Sequence, residues 1–179
     1  MNRQYLYEYF FVPFPQNTGT ILGMIRIDIP GLGQLEFQHF VTDFSGTLSE
    51  DGEVLPGVRE RLNELSDRLK VHVLTSDTFG RARKELEGVN CILHVLEGEG
   101  HTAQKEQYVL SLGPQFVVAM GNGNNDAGML KAASLSIAVC LKEGCAVEAM
   151  KSSNILITSP LDAIDLLLNP KRLVATLRI

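Results

Sequence analysis

The chain has 179 residues, a length that fits one domain, and its 45% hydrophobic and 21% charged residues are typical of a folded globular protein. This composition excludes a disordered, collagen-like or coiled-coil chain, and no apolar stretch approaches the ~20 residues that cross a bilayer, so we expect no membrane partner. The 16 basic and 21 acidic residues give a net charge of −5, and because the basic residues are scattered we expect no nucleic-acid partner.

The first 23 residues differ from the rest, because six of the twelve aromatic residues lie within the first fourteen positions. The alternation of Tyr5, Tyr7 and Tyr9 suits an added strand. One basic residue and two prolines do not fit a secretion signal. We interpret residues 1–23 as an aromatic-rich N-terminal extension, which either is translated from upstream of a true start at Met24 or forms a contact between subunits of a homo-oligomer.

From Met24 onward, hydrophobic periodicity predicts strands that alternate with helices. The predicted order is two extended runs (25–29 and 35–42) joined by a turn, a helix from Pro56, strand 71–74, a helix capped by Asp77 or Thr78 and ending at Gly88, strand 89–96, helix 102–112, strand 116–120, a helix ending at 133, strand 135–141, helix 145–151, strand 155–158 and helix 161–168. Such alternation implies right-handed crossovers and a mostly parallel sheet. We predict an α/β fold over residues 24–179, a three-layer α/β/α sandwich with a Rossmann-like sheet, preceded by a small β-hairpin.

Three cysteines, Cys91, Cys140 and Cys145, are odd in number and show no C-x-x-C spacing. Disulfides are rare in the cytoplasm, where thiols stay reduced. We therefore predict a cytoplasmic protein without a disulfide or zinc framework.

Polar residues follow three of the predicted strands. They are Asp43-Phe44-Ser45-Gly46-Thr47-Leu48-Ser49, Thr75-Ser76-Asp77-Thr78 and Gly121-Asn122-Gly123-Asn124-Asn125-Asp126. Each cluster alone is also ordinary turn or helix-cap chemistry. Ligands of such sheets bind outside the carboxyl ends of the strands, so clusters at several strand ends predict one shared site.

Together these clusters resemble the motifs of the haloacid dehalogenase (HAD) superfamily of phosphohydrolases and phosphotransferases, and especially those of P-type ATPases. Residues 43–49 are similar to the ATPase motif Asp-Lys-Thr-Gly-Thr-Leu-Thr, residues 75–77 to Thr-Gly-Asp, and residues 121–126 to Gly-Asp-Gly-x-Asn-Asp. The family places a lysine between the last two of these motifs, and Lys105 matches it. The resemblance runs from about Met24 to the C-terminus and implies a membrane-free relative of the ATPase catalytic domain.

The resemblance implies a Mg²⁺-dependent, phosphatase-type hydrolase that acts on a phosphorylated small molecule or protein. Asp43 is then the nucleophile that forms an aspartyl-phosphate. The matched positions are Asp43, Ser45, Thr75 and Lys105 for catalysis, Gly46, Thr47, Ser76 and Asp77 for the substrate phosphate, and Asp43, Ser45 (by its carbonyl), Asn122 and Asp126 for Mg²⁺. The backbone N–H groups of the Gly46-Thr47 turn are expected to contact the phosphate, and Asp77 also fits a helix cap.

Two positions depart from the superfamily pattern. Ser45 stands where its phosphatases carry the aspartate that acts as general acid and base, so we expect slow turnover through a long-lived aspartyl-phosphate. Asn122 stands for an aspartate and supplies no charge, so we expect weak Mg²⁺ binding. The competing hypothesis is a catalytically weakened HAD-fold regulatory or protein-interaction module.

The gaps between the motifs are too short for a cap domain, so we predict an open site that a large substrate or a neighbouring subunit would cover. Among the histidines, His39, His72 and His94 alternate with apolar neighbours, which is typical of hydrogen-bonded structural histidines. His101 precedes the Lys105 helix and is a candidate substrate contact.

Overall fold

The computed structural model describes residues 23–77 and 80–179. The strands are β1 (Ile25–Ile29), β2 (Gly33–Phe37), β3 (His39–Asp43), β4 (Ser49–Glu50), β5 (Glu53–Val54), β6 (Lys70–Thr75), β7 (Ile92–Val95), β8 (Val117–Gly121), β9 (Leu135–Val139) and β10 (Ile155–Ile157). The helices are α1 (Val58–Ser66), α2 (Ala82–Glu85), α3 (His101–Ser111), α4 (Ala127–Ala132), α5 (Val147–Lys151), α6 (Pro160–Leu168) and α7 (Pro170–Leu177). The expectations for residues 1–22, and the alternative cap at Thr78, lie outside the described residues.

A six-stranded parallel sheet forms the centre of the domain, in the order β10-β9-β8-β3-β6-β7. After β3 the chain adds β6 and then β7 on one side of β3. It then crosses to the other side, where β8, β9 and β10 follow in that order. In an open α/β sheet, ligands bind at such a switch point, outside the carboxyl ends of the strands. Asp43, the last residue of β3, lies at that point.

Alternating side chains of the buried strands fill two apolar layers, one on each face of the sheet. On β3, Phe40 packs in the layer that contains α1, α6 and α7, whereas Val41 packs in the layer that contains α3, α4 and α5. Both side chains are fully buried. The predicted three-layer α/β/α architecture is therefore confirmed.

The predicted hairpin is also confirmed, but its second strand is shorter than expected. β1 and β2 pair antiparallel across the turn at Pro30–Gly33. The single extended run predicted over 35–42 is wrong, because it divides at Gln38 into β2 and β3. The Gln38 N–H donates to the Phe116 carbonyl and its carbonyl accepts from the Lys70 N–H, so the chain leaves the hairpin and enters the parallel sheet at this residue.

Three other elements differ from the predictions. The expected loop before α1 contains the small antiparallel hairpin β4–β5. The helix predicted up to Gly88 is a single turn, α2, which begins only after Gly80 takes a left-handed φ of 65°. α7 was not predicted, although Pro170 at its start is a favourable first helical residue.

Within residues 23–77 and 80–179, the segments between the predicted motifs hold no inserted domain. The hairpin β4–β5 and α1 occupy the segment between β3 and β6, and α2 and β7 occupy the segment before α3. No helix of this described part combines the length and apolar character needed to cross a membrane.

Candidate active site

A buried lysine joins two buried carboxylates at the switch point of the sheet. Lys105 Nζ lies 2.5 Å from Asp43 Oδ1 and 2.7 Å from Asp126 Oδ1. Lys105 and Asp126 are fully buried, and Asp43 is 6% exposed. Lysine is almost never fully buried without a partner, and here two carboxylates compensate its charge. The structure thus brings together Asp43 and Asp126, which the strand-end clusters contain, and Lys105, which the resemblance assigned to the site.

Close packing between α3 and α4 positions Lys105. Lys105 and Val109 lie four residues apart on the buried face of α3. A Cβ at Gly128 in α4 would lie 3.1 Å from Glu106 Cβ and 3.3 Å from the Thr102 carbonyl oxygen. Glycine at this position therefore lets the two helices approach, which brings Lys105 to the turn that carries Asp126.

The carboxylate of Asp126 is fixed by backbone donors as well as by Lys105. Its Oδ2 accepts hydrogen bonds from the N–H groups of Asn122 at 3.0 Å and Gly123 at 2.8 Å. A Cβ at Gly121 would lie 2.6 Å from Asp126 Cγ. Glycine at the end of β8 is thus what allows the carboxylate to lie against the strand.

The charges of this trio shift the pKa values of its members. Burial raises the pKa of Asp43, and the nearby charge of Asp126 raises it further, to about 7, against the lowering effect of Lys105. Burial alone would lower the pKa of Lys105, but the charges of Asp43 and Asp126 outweigh it and raise that pKa. An additional cation in the site would therefore favour the ionised, nucleophilic form of Asp43.

The turn after Asp43 is compact and uses its own backbone donors. Gly46 has a left-handed φ of 71°, and a Cβ there would clash with Asn122 Nδ2. The N–H of Gly46 donates to the Ser49 carbonyl at 2.9 Å, and the N–H of Thr47 donates to the Phe44 carbonyl at 3.3 Å. The two N–H groups that the resemblance assigned to the phosphate are thus hydrogen-bonded within the turn.

Asn122 links this turn to the loop after β9. Its Oδ1 accepts from the Thr47 hydroxyl at 3.1 Å, and its Nδ2 donates to the Gly144 carbonyl at 3.2 Å. Thr47 is fully buried. Asn122 therefore has a structural contact on each side of its amide, in addition to its place beside Asp126.

The second predicted cluster lies at the end of β6. Thr75 is buried, and its hydroxyl oxygen accepts from the Asp77 N–H at 2.9 Å. Asp77 has a left-handed φ of 48°, and its Oδ1 accepts from the N–H groups of Arg81 at 2.9 Å and Ala82 at 3.0 Å. Asp77 thus accepts hydrogen bonds at the start of α2 as a cap would, although the residue that directly precedes the helix is Arg81. Ser76 is half-buried between Thr75 and Asp77.

Two buried side-chain atoms in the described part of the chain have no hydrogen-bond partner. They are Ser45 Oγ and His101 Nε2. Ser45 lies two residues after Asp43, and His101 lies four residues before Lys105. Both unpartnered atoms therefore belong to residues that flank the Asp43–Lys105 pair.

Two of the three predicted structural histidines form a hydrogen-bonded chain with a tyrosine. His39 Nδ1 lies 3.0 Å from His72 Nε2, and His72 Nδ1 lies 2.9 Å from the Tyr108 hydroxyl. The sequence carries no signal for the role of Tyr108, because helical spacing shows only that this residue lies on α3. His94 is exposed on β7 with its ring centroid 5.3 Å from that of Tyr108.

The donor set of the site fits a hard divalent cation. Asp43 and Asp126 offer carboxylate oxygens, and proteins commonly hold Mg²⁺ through one or two carboxylates with water and substrate phosphate completing the octahedron. Among the described residues, no group of three or more His, Cys, Asp or Glu side chains is arranged to hold a metal. Carbonyl, amide or water oxygens would therefore supply the other ligands.

Sequence comparisons connect the chain to two uncharacterized proteins of Methanocaldococcus jannaschii. One is 48% identical over 62 residues, which cover 35% of this chain and 67% of that protein. The other is 42% identical over 36 residues, which cover 20% of this chain and 82% of that protein. No protein-family model matches the chain.

Solved structures of HAD phosphatases share the fold. The cobalt-bound deoxy-D-mannose-octulosonate 8-phosphate phosphatase of Haemophilus influenzae superposes with a TM-score of 0.62 at 12% identity, covering 80% of this chain and 94% of that one. The corresponding phosphatase of Moraxella catarrhalis, in complex with magnesium, phosphate and KDO, gives a TM-score of 0.58 at 15% identity over 79% and 94% of the two chains. A haloacid dehalogenase-like hydrolase of Streptococcus pneumoniae gives 0.55 at 10% identity over 72% and 97%.

Proposed function

We propose that this chain, which belongs to the same family as the two Methanocaldococcus jannaschii proteins and has the HAD fold, is a Mg²⁺-dependent phosphohydrolase or phosphotransferase that works through an aspartyl-phosphate on Asp43. The observation that carries the proposal is the buried contact of Lys105 with both Asp43 and Asp126 at the switch point of the sheet. A purely structural role would add little to folding stability, because the desolvation cost of burying three charged groups offsets much of their mutual attraction. Transfer of a phosphoryl group needs both a nucleophile and preorganised positive charge there.

Asp43 is suited to attack phosphorus once it is ionised. A carboxylate nucleophile divides one difficult displacement into the formation and the hydrolysis of an acyl phosphate. Lys105 compensates negative charge beside the reacting carboxylate, and Thr75 places a hydroxyl at the end of the neighbouring strand. Mg²⁺, held by Asp43 and Asp126 with the Ser45 carbonyl and the Asn122 amide oxygen, would supply further positive charge for the transferring phosphoryl group.

The substrate of the proposed reaction is a phosphorylated molecule whose leaving group extends out of the site. Two of the structural neighbours are phosphatases of a phosphorylated sugar acid, and one of them is described with magnesium and phosphate. The segments between the motifs hold no inserted domain within residues 23–77 and 80–179, which supports a site that a large substrate or a second subunit would cover. Ser45 in place of a carboxylic acid favours slow turnover.

The proposal is tested by labelling the protein with ³²P-acetyl phosphate and Mg²⁺. We expect an acid-stable, hydroxylamine-labile phosphoprotein, together with hydrolysis of p-nitrophenyl phosphate that EDTA abolishes. Asp43→Asn should lose both signals. Asp28→Asn is the matched control, because Asp28 is exposed in the hairpin and the substitution is chemically the same. Absence of label on the folded wild-type protein would contradict the proposal.

The competing role is a regulatory or protein-interaction module that has kept the fold and lost turnover. The observation that favours it is Ser45, whose hydroxyl cannot replace a carboxyl in proton transfer near neutral pH. The same labelling experiment separates the two, since a module without turnover forms no aspartyl-phosphate that decays to inorganic phosphate.

A further inference from the structure

We infer that His101 is the general acid and base of the proposed phosphoryl transfer, in place of the carboxyl group that is missing at position 45. This inference rests on the proposed function, because it assigns the proton transfers of the same reaction. His101 touches the leaving-group oxygen in the first step and the attacking water in the second.

The helix that carries Lys105 also places His101 at the mouth of the site. α3 follows the carboxyl end of β7 and begins at His101. Ligands of an open α/β sheet bind at this edge. Lys105 follows four residues later, so the two side chains lie on one face of the helix, about one turn or 5.4 Å apart along its axis. Lys105 contacts Asp43, and His101 lies one turn nearer to the N-terminal end of the helix, which faces the edge of the sheet where ligands bind.

The hydrogen bonding of His101 is incomplete in a way that points to a ligand. The residue is half-buried, but its Nε2 is buried without a partner, and Ser45 Oγ is buried without one as well. More than nine in ten buried polar groups in proteins have a partner. In residues 23–77 and 80–179 these are the two such atoms, and one belongs to the residue two positions after Asp43 and the other to the residue one helical turn before Lys105. A substrate bound at Asp43 is the partner that we assign to His101 Nε2.

The other histidines do not offer a nitrogen to this site. His39 and His72 bond to each other, and His72 also bonds to Tyr108; His39 is the first residue of β3, at the opposite end of that strand from Asp43. His94 is exposed on the edge strand β7, beside Tyr108. His101 is therefore the histidine whose position and unpartnered nitrogen fit proton transfer at Asp43. Imidazole is the side chain whose protonation state changes most readily near neutral pH.

The two steps balance with His101 as the proton carrier. In the first, the Asp43 carboxylate forms a bond to phosphorus, the bond from phosphorus to the leaving-group oxygen breaks, and protonated His101 gives its Nε2 proton to that oxygen, which leaves as an alcohol. In the second, neutral His101 takes a proton from water as the water oxygen bonds to phosphorus. The bond between phosphorus and Asp43 then breaks, which releases inorganic phosphate and restores the carboxylate and the imidazolium.

The test compares His101→Gln with the wild type on two substrates that differ in their leaving group. Loss of a general acid matters most when the leaving group is poor, so kcat/KM should fall about 10²–10⁴-fold with phenyl phosphate and much less with p-nitrophenyl phosphate. His94→Gln is the matched control and should change neither. A loss that is equal for the two substrates would overturn the inference, because a merely structural role does not depend on the leaving group.

Three further measurements keep the inference falsifiable if His101→Gln is less stable. The ³²P-phosphoprotein formed from acetyl phosphate should decay more slowly in His101→Gln. Free imidazole should accelerate that decay in His101→Ala, and Ser45→Asp should restore hydrolysis in the His101→Gln background. If the wild type forms phosphoprotein and both His101 variants hydrolyse it at the wild-type rate, only this inference fails. If the wild type forms none, the proposed function fails and this inference with it.

Discussion

Lys105 Nζ and Asp43 Oδ1 lie 2.5 Å apart, although 62 residues separate them in the chain. One comes from a helix on the face of the sheet and the other from the end of its central strand. The same ammonium contacts Asp126 from the turn that precedes α4. The fold therefore concentrates one positive and two negative charges in a place with almost no exposure to water.

Replacing Lys105 should destabilise the protein strongly. Lys105→Met keeps most of the apolar stem but leaves two buried carboxylates without a cation, and breaking a buried ion pair in this way costs about 3–5 kcal/mol. Lys131→Met is the control, because Lys131 is exposed at the end of α4 and such surface changes stay within about 0.5 kcal/mol. Urea unfolding at pH 7 measures both. Equal unfolding free energies for the two variants would show that the trio is not a coupled unit.

Removing the charge of Asp43 should stabilise the protein at alkaline pH, in contrast to the replacement of Lys105. Burial and Asp126 raise the pKa of Asp43 from 3.8 to about 7, so the folded state retains a proton that the unfolded chain releases between these values. Ionisation of Asp43 therefore lowers stability as the pH rises through this range, and the loss is complete above pH 7. Asp43→Asn should be more stable than the wild type at pH 8 in EDTA and should lose this advantage at pH 4.

Linkage contributes about 1.4 kcal/mol per pH unit between pH 3.8 and about 7, so the Asp43 effect should reach several kcal/mol, and each kcal/mol corresponds to about 2–4 °C in the midpoint of thermal unfolding for a chain of this length. Asp28→Asn in the exposed hairpin provides the control and should follow the wild type at both pH values. A gain for Asp43→Asn that is the same at pH 4 and pH 8 would contradict this explanation, since it would then not come from ionisation.

Substitutions of Asp77 distinguish between a helix-capping role and a role in substrate binding. Its carboxylate accepts two N–H groups at the start of α2, and its φ of 48° is a conformation that Asn tolerates better than Ala. Asp77→Ala should lower the unfolding free energy by about 1 kcal/mol, whereas Asp77→Asn should have an unfolding free energy close to that of the wild type. We expect kcat/KM to change little in either. A large loss of kcat/KM in both variants would identify Asp77 as a substrate contact instead.

The core of the candidate site could be predicted from sequence because its residues stand where strands end. Asp43, Thr75 and Asp126 follow buried apolar runs, and parallel strands bring such positions to one edge of a sheet. The division at Gln38 was missed, because β2 and β3 form one continuous apolar pattern and only tertiary pairing separates them.

Contacts between distant side chains had no signal in the sequence. The bond from Asn122 to the Gly144 carbonyl depends on where two loops meet, and the bond between His72 and Tyr108 depends on how α3 packs on β6. The resemblance assigns the N–H groups of Gly46 and Thr47 to the phosphate, but in the structure both donate to carbonyl oxygens within the same turn. Sequence thus specified which residues gather at the site, whereas the direction of each hydrogen bond required the structure.

The His39–His72 pair should make stability depend on acid pH. Burial, with a smaller contribution from the charge of Lys70, lowers the pKa of His39 from 6.5 to about 4. Burial, with the charges of His39 and Lys70, lowers that of His72 to about 3. The unfolded chain therefore binds protons that the folded state excludes, so this contribution is fully present above pH 6.5 and is lost as the pH falls toward these values.

The variant His72→Gln isolates this effect, because an amide can bond to Tyr108 but does not titrate. The unfolding free energy of the wild type should fall more steeply than that of His72→Gln between pH 6.5 and pH 4.5, by up to ~1.4 kcal/mol per pH unit for one site. His94→Gln, at an exposed position, should keep the wild-type slope. Parallel curves for the wild type and His72→Gln would contradict the explanation, because they would show that His72 binds protons equally in the folded and unfolded states.

The Asn122 amide makes structural hydrogen bonds and is also a proposed Mg²⁺ ligand. Asn122→Asp should therefore lower stability without metal and strengthen Mg²⁺ binding. Its Nδ2 donates to the Gly144 carbonyl at 3.2 Å, and an aspartate would place an acceptor oxygen against that carbonyl. Without metal, the lost hydrogen bond and the unpaired carbonyl should lower the unfolding free energy by about 1–3 kcal/mol. The added carboxylate beside Asp126 should at the same time strengthen Mg²⁺ binding, because Mg²⁺ prefers charged oxygen ligands.

A Mg²⁺ titration followed by thermal unfolding measures both parts of the Asn122 effect. Asn122→Asp should start below the wild type in EDTA and rise more steeply with Mg²⁺, since a ligand that binds only the folded state stabilises it by mass action. Asn124→Asp adds the same charge at an exposed position of the same turn and should follow the wild-type titration. If Asn122→Asp and Asn124→Asp respond equally to Mg²⁺, position 122 lies outside the coordination sphere, and the amide serves only to join Thr47 to Gly144.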